Sequence, residues 1–276
     1  MMNNAGLMDR SGGYMKRIFN KLIPFILAFS LMLAFCSGVK AETAQQTGVK
    51  EESVSVLEDD ANGSNDAKEA AALLENIKGT YEPLFPVITK PEYDQLWLDP
   101  CIAVVGEEAA PAMAEMLKAA CNGTIYGQEA IDAFGDGSNG AQFDCLFING
   151  VSTITFDGAT ISGVDENGNQ VFSHEYVYVG KLILAGMMEG YLYETADEDA
   201  GEFRYFYMMP DTPATTFHLE FRYGSNTDDL AKYNEGPYAY WLVAAFPVDA
   251  DAEMIKNVIT LFCEENLEEL RTEDAA

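Results

Sequence analysis

The sequence predicts a mainly β domain: a closed antiparallel β-barrel with helices on its N-terminal and C-terminal sides. Two observations predict this class. From Gln142 onward, short runs with a side-chain period of two are separated by the tight-turn dipeptides Asn149-Gly150, Asp157-Gly158 and Asn167-Gly168. Helical periodicity appears before and after this region. Because short, evenly spaced strands favour closure into a barrel, we expect a barrel rather than a sandwich.

The first 41 residues are typical of a signal peptide. A basic stretch at residues 15–21 precedes an apolar run at residues 22–35, and Val39-Lys40-Ala41 offers a cleavage site after Ala41. A lipoprotein anchored through Cys36 is the alternative, but Phe35 is bulky where that processing requires a small residue. We therefore expect an extracytoplasmic protein, secreted or held in the cell envelope or periplasm, without membrane insertion after processing.

The composition of the remaining chain indicates a leader, one domain and a tail, and its charge excludes nucleic acid and anionic membranes as partners. Residues 42–66 are acidic and polar, which predicts a disordered leader, residues 67–270 form one domain, and residues 271–276 are an acidic tail. Residues 1–41 contain five Lys or Arg and one Asp, so their removal takes the formal net charge from −29 to −33. Such a polyanion does not bind nucleic acid or an anionic membrane. We expect a soluble monomer.

Three helical segments are predicted around the barrel. The first covers residues 67–78 and ends at Gly79, and the second covers residues 107–120, with Met113 and Met116 as core residues. The third covers residues 251–270, where Asp249 or Asp251 can cap the start. Its predicted core-facing residues are Met254, Val258, Leu261 and Phe262.

The predicted strands alternate between these helices. They are residues 152–156, 171–179, 182–183, 191–193, a pair within 203–223, and 238–246, with a short helical turn at 228–233. In the second of them, His174, Tyr176 and Tyr178 share one face. We predict that His174 is a hydrogen-bonded strand residue; the alternative is that it reaches into a site within the barrel.

Four cysteines remain after removal of the signal peptide, namely Cys101, Cys121, Cys145 and Cys263. None has the C-x-x-C spacing of a thiolate zinc site or a redox motif. An even number in an oxidising compartment predicts two disulfides, and three pairings are open.

The stretch from Phe217 to Tyr223 carries the candidate site. Strand alternation places His218, Glu220 and Arg222 on one face and the apolar residues on the other. An imidazole and a carboxylate two residues apart can close on one metal ion if other elements supply further ligands. The alternative is a solvated strand face, as on many half-exposed antiparallel strands.

This region resembles the ZinT/YodA-type zinc-binding domain, which also forms the C-terminal domain of AdcA-type zinc-binding lipoproteins. Phe206, Pro213, His218 and Gly224 match the pattern F-x-x-H-x-x-x-P-x-x-x-x-H-x-H-x-x-x-G. Met209 and Glu220 stand at the first and third histidine positions. Weaker similarity extends over residues 67–270, through the segments 79–86, 172–180 and 233–241, with Tyr81 where the family has tryptophan.

The resemblance implies a lipocalin-like (calycin) barrel that binds zinc at Met209, His218 and Glu220. It also implies a divalent metal ion as ligand and a component of a metal transporter as partner. A thioether is a poor zinc ligand and suits softer ions such as Cu(I), so Asp211 or His174 would have to complete a zinc site. Two interpretations stay open: a weakened or altered metal site, or a site without metal.

The corresponding functions are metal binding or recruitment and, as the alternative, a lipocalin-like module that has lost its metal and binds a small molecule or a protein. We expect no enzyme, because neither histidine accompanies a nucleophile turn such as G-x-S-x-G.

Overall fold

The computed structural model describes residues 63–121, 125–134 and 144–273. The predicted signal peptide with Cys36, most of the predicted leader and the final residues of the predicted tail lie outside the described residues. Within the described part, no helix is both long enough and apolar enough to span a membrane.

Eight strands form one antiparallel sheet that closes on itself. Each strand pairs with its neighbours in sequence, and β1 completes the ring by pairing with both β2 and β8. The predicted closed antiparallel barrel is therefore confirmed. The strands are β1 (Gly79–Pro83), β2 (Thr153–Asp157), β3 (Thr160–Val164), β4 (Gln170–Leu184), β5 (Met188–Thr195), β6 (Tyr205–Met208), β7 (Leu219–Gly224) and β8 (Val243–Pro247).

Two of the predicted glycine turns join the first strands of this meander. Gly158, between β2 and β3, has φ 61°, and Gly168, between β3 and β4, has φ 79°. Only glycine adopts this left-handed conformation without steric cost. The turns therefore fix the hairpin register, in which Asp157 lies opposite Thr160.

Aromatic side chains fill the barrel interior. Phe156 on β2 contacts Phe221 on β7 with ring centroids 5.7 Å apart, although β1 and β8 separate these strands in the ring. Phe172 on β4 contacts Phe206 on β6 at 6.0 Å. Because side chains alternate along a strand, the residues of β7 that neighbour Phe221 point to the opposite, outer face of the wall.

Helices flank the barrel on both sides of the strand region, as predicted. They are α1 (Gly63–Asn76), α2 (Leu84–Ile88), α3 (Asp94–Cys121), α4 (Gln128–Phe134), α5 (Thr227–Leu230) and α6 (Ala252–Glu273). Helices α3 and α6 pack together through Trp97 and Phe262, whose ring centroids lie 5.5 Å apart. Met113 is fully buried, as predicted, and Asp251 caps α6 by accepting the Met254 N–H.

Several boundaries differ from the prediction. Helix α1 begins at Gly63 rather than at residue 67, and Asp66 anchors its first turn to Lys181 on β4 with an N–O distance of 3.3 Å. Helix α3 begins at Asp94 rather than at residue 107, and a break at Gly106 (φ 78°) separates its first part from the predicted segment 107–120. Residues 182–183 belong to β4, beyond an irregularity at Tyr178/Gly180.

The two predicted disulfides are not supported. Cys101, Cys145 and Cys263 are buried, and no disulfide joins any of these three described side chains. The side chain of Cys121 lies outside the described part of the chain.

Candidate functional site

The predicted site lies where β6 leads into β7. Met208 pairs with Phe221, and one residue farther along, the Met209 N–H donates to the Glu220 carbonyl at 3.0 Å. Residues opposite each other in an antiparallel ladder share a face. Met209 and Glu220 therefore lie side by side on the outer face of the barrel wall, with His218 two residues before Glu220.

This outer face is buried. His218 is 1% exposed, Glu220 3% and Arg222 0%. Arg222 donates hydrogen bonds to the carbonyls of Leu230, Lys232 and Tyr238, so the chain between β7 and β8 folds back over the strand. The interpretation of a solvated strand face is therefore wrong, because periodicity alone cannot show that a later segment covers the polar side.

A backbone hydrogen bond fixes the imidazole of His218. Its Nδ1 lies 2.8 Å from the Thr216 carbonyl oxygen, which can only accept, so Nδ1 carries a hydrogen. Its Nε2 lies 3.7 Å from Glu220 Oε1, a distance beyond hydrogen-bond range. When the ring is neutral, the lone pair on Nε2 is therefore directed into the site.

The loop between β6 and β7 supplies a third polar side chain, Asp211. Its next residues form a compact turn in which Thr215 N–H and Thr216 N–H both donate to the Thr212 carbonyl at 3.0 Å. The Thr216 hydroxyl also donates to the His218 carbonyl at 3.1 Å. This turn holds the chain on both sides of the site, and Asp211 is only 7% exposed.

Three buried polar atoms of this site have no hydrogen-bond partner: His218 Nε2, Glu220 Oε2 and Asp211 Oδ2. Nearly all buried polar atoms in folded proteins are paired, because an unpaired one carries its full desolvation cost. Here three neighbouring side chains each contribute one unpaired atom. This cluster is therefore the feature of the site that most needs a chemical explanation.

The electrostatics show that the site lacks positive charge. Burial and, to a smaller extent, the neighbouring Glu220 raise the pKa of Asp211 to about 7 against the opposing effect of His218. For His218, burial lowers the pKa, but Glu220 and Asp211 outweigh burial and the net direction is upward. The raised pKa values mean that Asp211 and His218 both hold a proton more tightly in this site than they would in water.

His174 lies apart from these groups and contacts a different carboxylate. Its Nδ1 is 2.7 Å from Asp197 Oδ2, and its ring stacks on Phe172. The prediction of a hydrogen-bonded strand histidine is confirmed.

The donor types suit a divalent metal ion, since zinc takes imidazole nitrogen and carboxylate oxygen as ligands. The hydrogen bond from Nδ1 to a backbone carbonyl is also the usual support of a metal-binding histidine. Nevertheless, no group of three or more His, Cys, Asp or Glu side chains within the described ranges already has metal-binding geometry. Metal binding at this site therefore requires the three donors to move closer together.

Sequence reasoning missed Thr216, whose carbonyl orients the imidazole of His218, because a backbone acceptor can belong to any residue type and leaves no pattern in the sequence.

Gly224, the last residue of the sequence pattern around the site, is glycine for a steric reason. A Cβ at Gly224 would lie 2.5 Å from the Tyr238 hydroxyl oxygen, which is closer than such contacts allow. Gly224 therefore permits the segment that covers β7 to approach the strand.

Comparison with solved structures finds several similar chains, two of which are described here. No family model and no curated protein matches the sequence. The Zn(II)-bound ZinT-like domain of Streptococcus pneumoniae AdcA is 18% identical, with a TM-score of 0.42, and the match covers 68% of this chain and 89% of that one. Zn(II)-bound AdcA from the same organism is 18% identical, with a TM-score of 0.39, and the match covers 71% of this chain and 35% of that one.

Proposed function

We propose that the outer face of β7 binds one divalent metal ion, with zinc favoured, through His218 Nε2 and the carboxylates of Glu220 and Asp211. The observation that carries the proposal is the set of three unpartnered, buried atoms, one from each of these side chains. A metal ion would satisfy all three at once. A water molecule would hydrogen-bond to them but would leave the charge of the carboxylates uncompensated.

Charge supports a cation rather than a neutral ligand. The site combines two carboxylates with an imidazole whose Nδ1–H is already used by the Thr216 carbonyl. A dication would neutralise both carboxylates, and it would release the protons that otherwise stabilise them. The thioether of Met209, beside Glu220, would act as a weak fourth donor that favours softer ions.

We place this activity outside the cytoplasm, where the protein would bind zinc and deliver it to a component of a metal transporter. The basic and apolar stretches of residues 15–35 support export. The alternative, a small apolar ligand within the barrel, has less support. The described aromatic residues on β2, β4, β6 and β7 already contact one another across the interior.

The direct test is a zinc titration of the metal-free protein, followed by calorimetry and thermal unfolding. We expect one equivalent to bind and, at about 100-fold excess over Kd, the melting temperature to rise by roughly 5–10 °C. His218→Ala should abolish this rise. His174→Ala is the matched control, because it removes the other of the two histidines and leaves the site intact.

Melting curves of the wild type that zinc, copper and cadmium all leave unchanged would refute the metal site. A rise that persists in His218→Ala would place the metal elsewhere on this acidic protein.

A further inference from the structure

Phe217, the residue before His218, has a backbone conformation that aromatic residues rarely adopt. Its φ is 66°, in the left-handed region. The Cβ of any residue other than glycine is crowded by the backbone there, so a bulky residue keeps this conformation only where its surroundings impose it. Strained positions of this kind concentrate at functional sites, and Phe217 is bonded directly to a candidate metal ligand.

Two hydrogen bonds span Phe217 and join its neighbours. His218 Nδ1 donates to the Thr216 carbonyl at 2.8 Å, and the Thr216 hydroxyl donates to the His218 carbonyl at 3.1 Å. An extended residue would hold its two neighbours about 6.6 Å apart along the chain, which puts that carbonyl out of reach of the short threonine side chain. The left-handed turn at Phe217 therefore makes both bonds possible, and the first of them directs Nε2 into the site.

Packing on both sides of the turn holds it in place. The Phe217 ring is partly buried and packs against the hydrophobic core. Before the turn, the Thr216 N–H donates at 3.0 Å to the carbonyl of Thr212, the residue after Asp211. Phe217 therefore joins the loop that carries Asp211 to the strand that carries Glu220, and its conformation sets the position of the imidazole relative to both carboxylates.

We propose that Phe217 is a positioning residue for the metal site, because its left-handed backbone holds the imidazole with Nε2 directed at the ion. This inference rests on the metal binding proposed for His218, Glu220 and Asp211. With an ordinary φ at Phe217, the imidazole would lose its backbone acceptor and would exchange between rotamers. Only a fraction of the molecules would then be competent to bind, and the apparent affinity falls by that fraction.

The test compares two variants of equal size, Phe217→Leu and Phe217→Ile. Both side chains are apolar, but branching at Cβ makes isoleucine the poorer residue at a positive φ. Calorimetric titration of the metal-free proteins measures the zinc affinity. We expect Phe217→Leu to stay within about threefold of the wild type and Phe217→Ile to bind at least about fivefold more weakly than Phe217→Leu.

A second measurement reads the imidazole without metal. Nitrogen NMR distinguishes a neutral ring protonated at Nδ1 from one protonated at Nε2, and His174→Ala leaves His218 as the only histidine. At an alkaline pH that keeps the ring neutral, we expect the Nδ1–H tautomer in this background and in the same background with Phe217→Leu. With Phe217→Ile, we expect a mixture of the two tautomers.

Equal zinc affinities in Phe217→Leu and Phe217→Ile, or the same single tautomer in both, would overturn the positioning role and leave the metal site standing. A wild type that binds no zinc would refute the proposed function and the positioning role together. Phe217→Gly takes the place of Phe217→Ile if that variant does not fold, because glycine permits a positive φ without imposing it, and the same loss of affinity and the same mixture are expected.

Discussion

His218 Nε2 and Glu220 Oε1 lie 3.7 Å apart on one face of the chain at the start of β7, and both side chains are buried. The separation is too long for a hydrogen bond, and the buried Nε2 has no other hydrogen-bond partner in the protein. A buried imidazole and a buried carboxylate with unused donor atoms suit a metal site, and three substitutions test this arrangement and the segment that covers it.

Glu220→Gln should separate metal binding from stability. The amide keeps the shape of the side chain but removes a buried negative charge, so the metal-free variant should melt at or above the wild-type temperature. Its zinc affinity should fall at least about tenfold, because one charged ligand is lost. Calorimetric titration measures the affinity, and Glu175→Gln, on an exposed position of β4, should leave it unchanged. Undiminished zinc affinity in Glu220→Gln would exclude this carboxylate as a ligand.

Met209→His should strengthen zinc binding. Met209 lies beside Glu220 on the outer face of the wall, so an imidazole there would add a better zinc ligand than a thioether. We expect a gain of at least about tenfold in affinity. Met208→His is the control, because Met208 pairs with Phe221 and points to the aromatic interior. Equal gains in both variants would show that the added histidine acts nonspecifically.

Arg222→Ala should destabilise the fold severely. The guanidinium is fully buried, donates to three backbone carbonyls and lies about 6 Å from the rings of Tyr233, Tyr238 and Trp241. Removing it leaves these carbonyls unpaired, at a cost of roughly 3–5 kcal/mol in the free energy of unfolding.

Urea unfolding measures this loss. Arg204→Ala, which removes a half-exposed arginine paired with Glu194, should cost less than about 1 kcal/mol. A small loss in Arg222→Ala would mean that water replaces the guanidinium and that the segment over β7 is held by other contacts.

Asp144 should make stability depend on pH. Burial raises the pKa of Asp144 from 3.8 to about 6, although a hydrogen bond from the Leu146 N–H lowers it. The folded protein therefore holds this proton more tightly than the unfolded chain does. The stabilisation is fully present below about pH 4 and is lost as the pH rises through 6. Two pKa units correspond to roughly 3 kcal/mol.

The free energy of unfolding of the wild type minus that of Asp144→Asn should decrease by about this amount between pH 4 and pH 7.5. Asp165→Asn is the control, because hydrogen bonds from Asn169 lower the pKa of this exposed aspartate, which gives the opposite sign. A difference between wild type and Asp144→Asn that is independent of pH would contradict the raised pKa.

The barrel could be predicted from the sequence because its determinants are local. The period of two along residues 152–156 and 171–179 and the glycines at 158 and 168 specify strands and turns within a few residues. Alternation also placed His218 and Glu220 on one face. The same reasoning did not predict the helical segment before the break at Gly106. It also placed the start of α1 too late, because Asp66 in the first turn contacts Lys181 on a distant strand.

The sequence by itself determined the class of fold, the acidic character and the pairing of an imidazole with a carboxylate on one strand. Only the tertiary structure decided that this polar face is buried, that Asp211 joins it, and that His174 belongs to a separate pair with Asp197. The physical reason is that periodicity reports the direction of a side chain from its own strand or helix. Burial, desolvation and the pairing of polar side chains depend on which distant segments pack against that side.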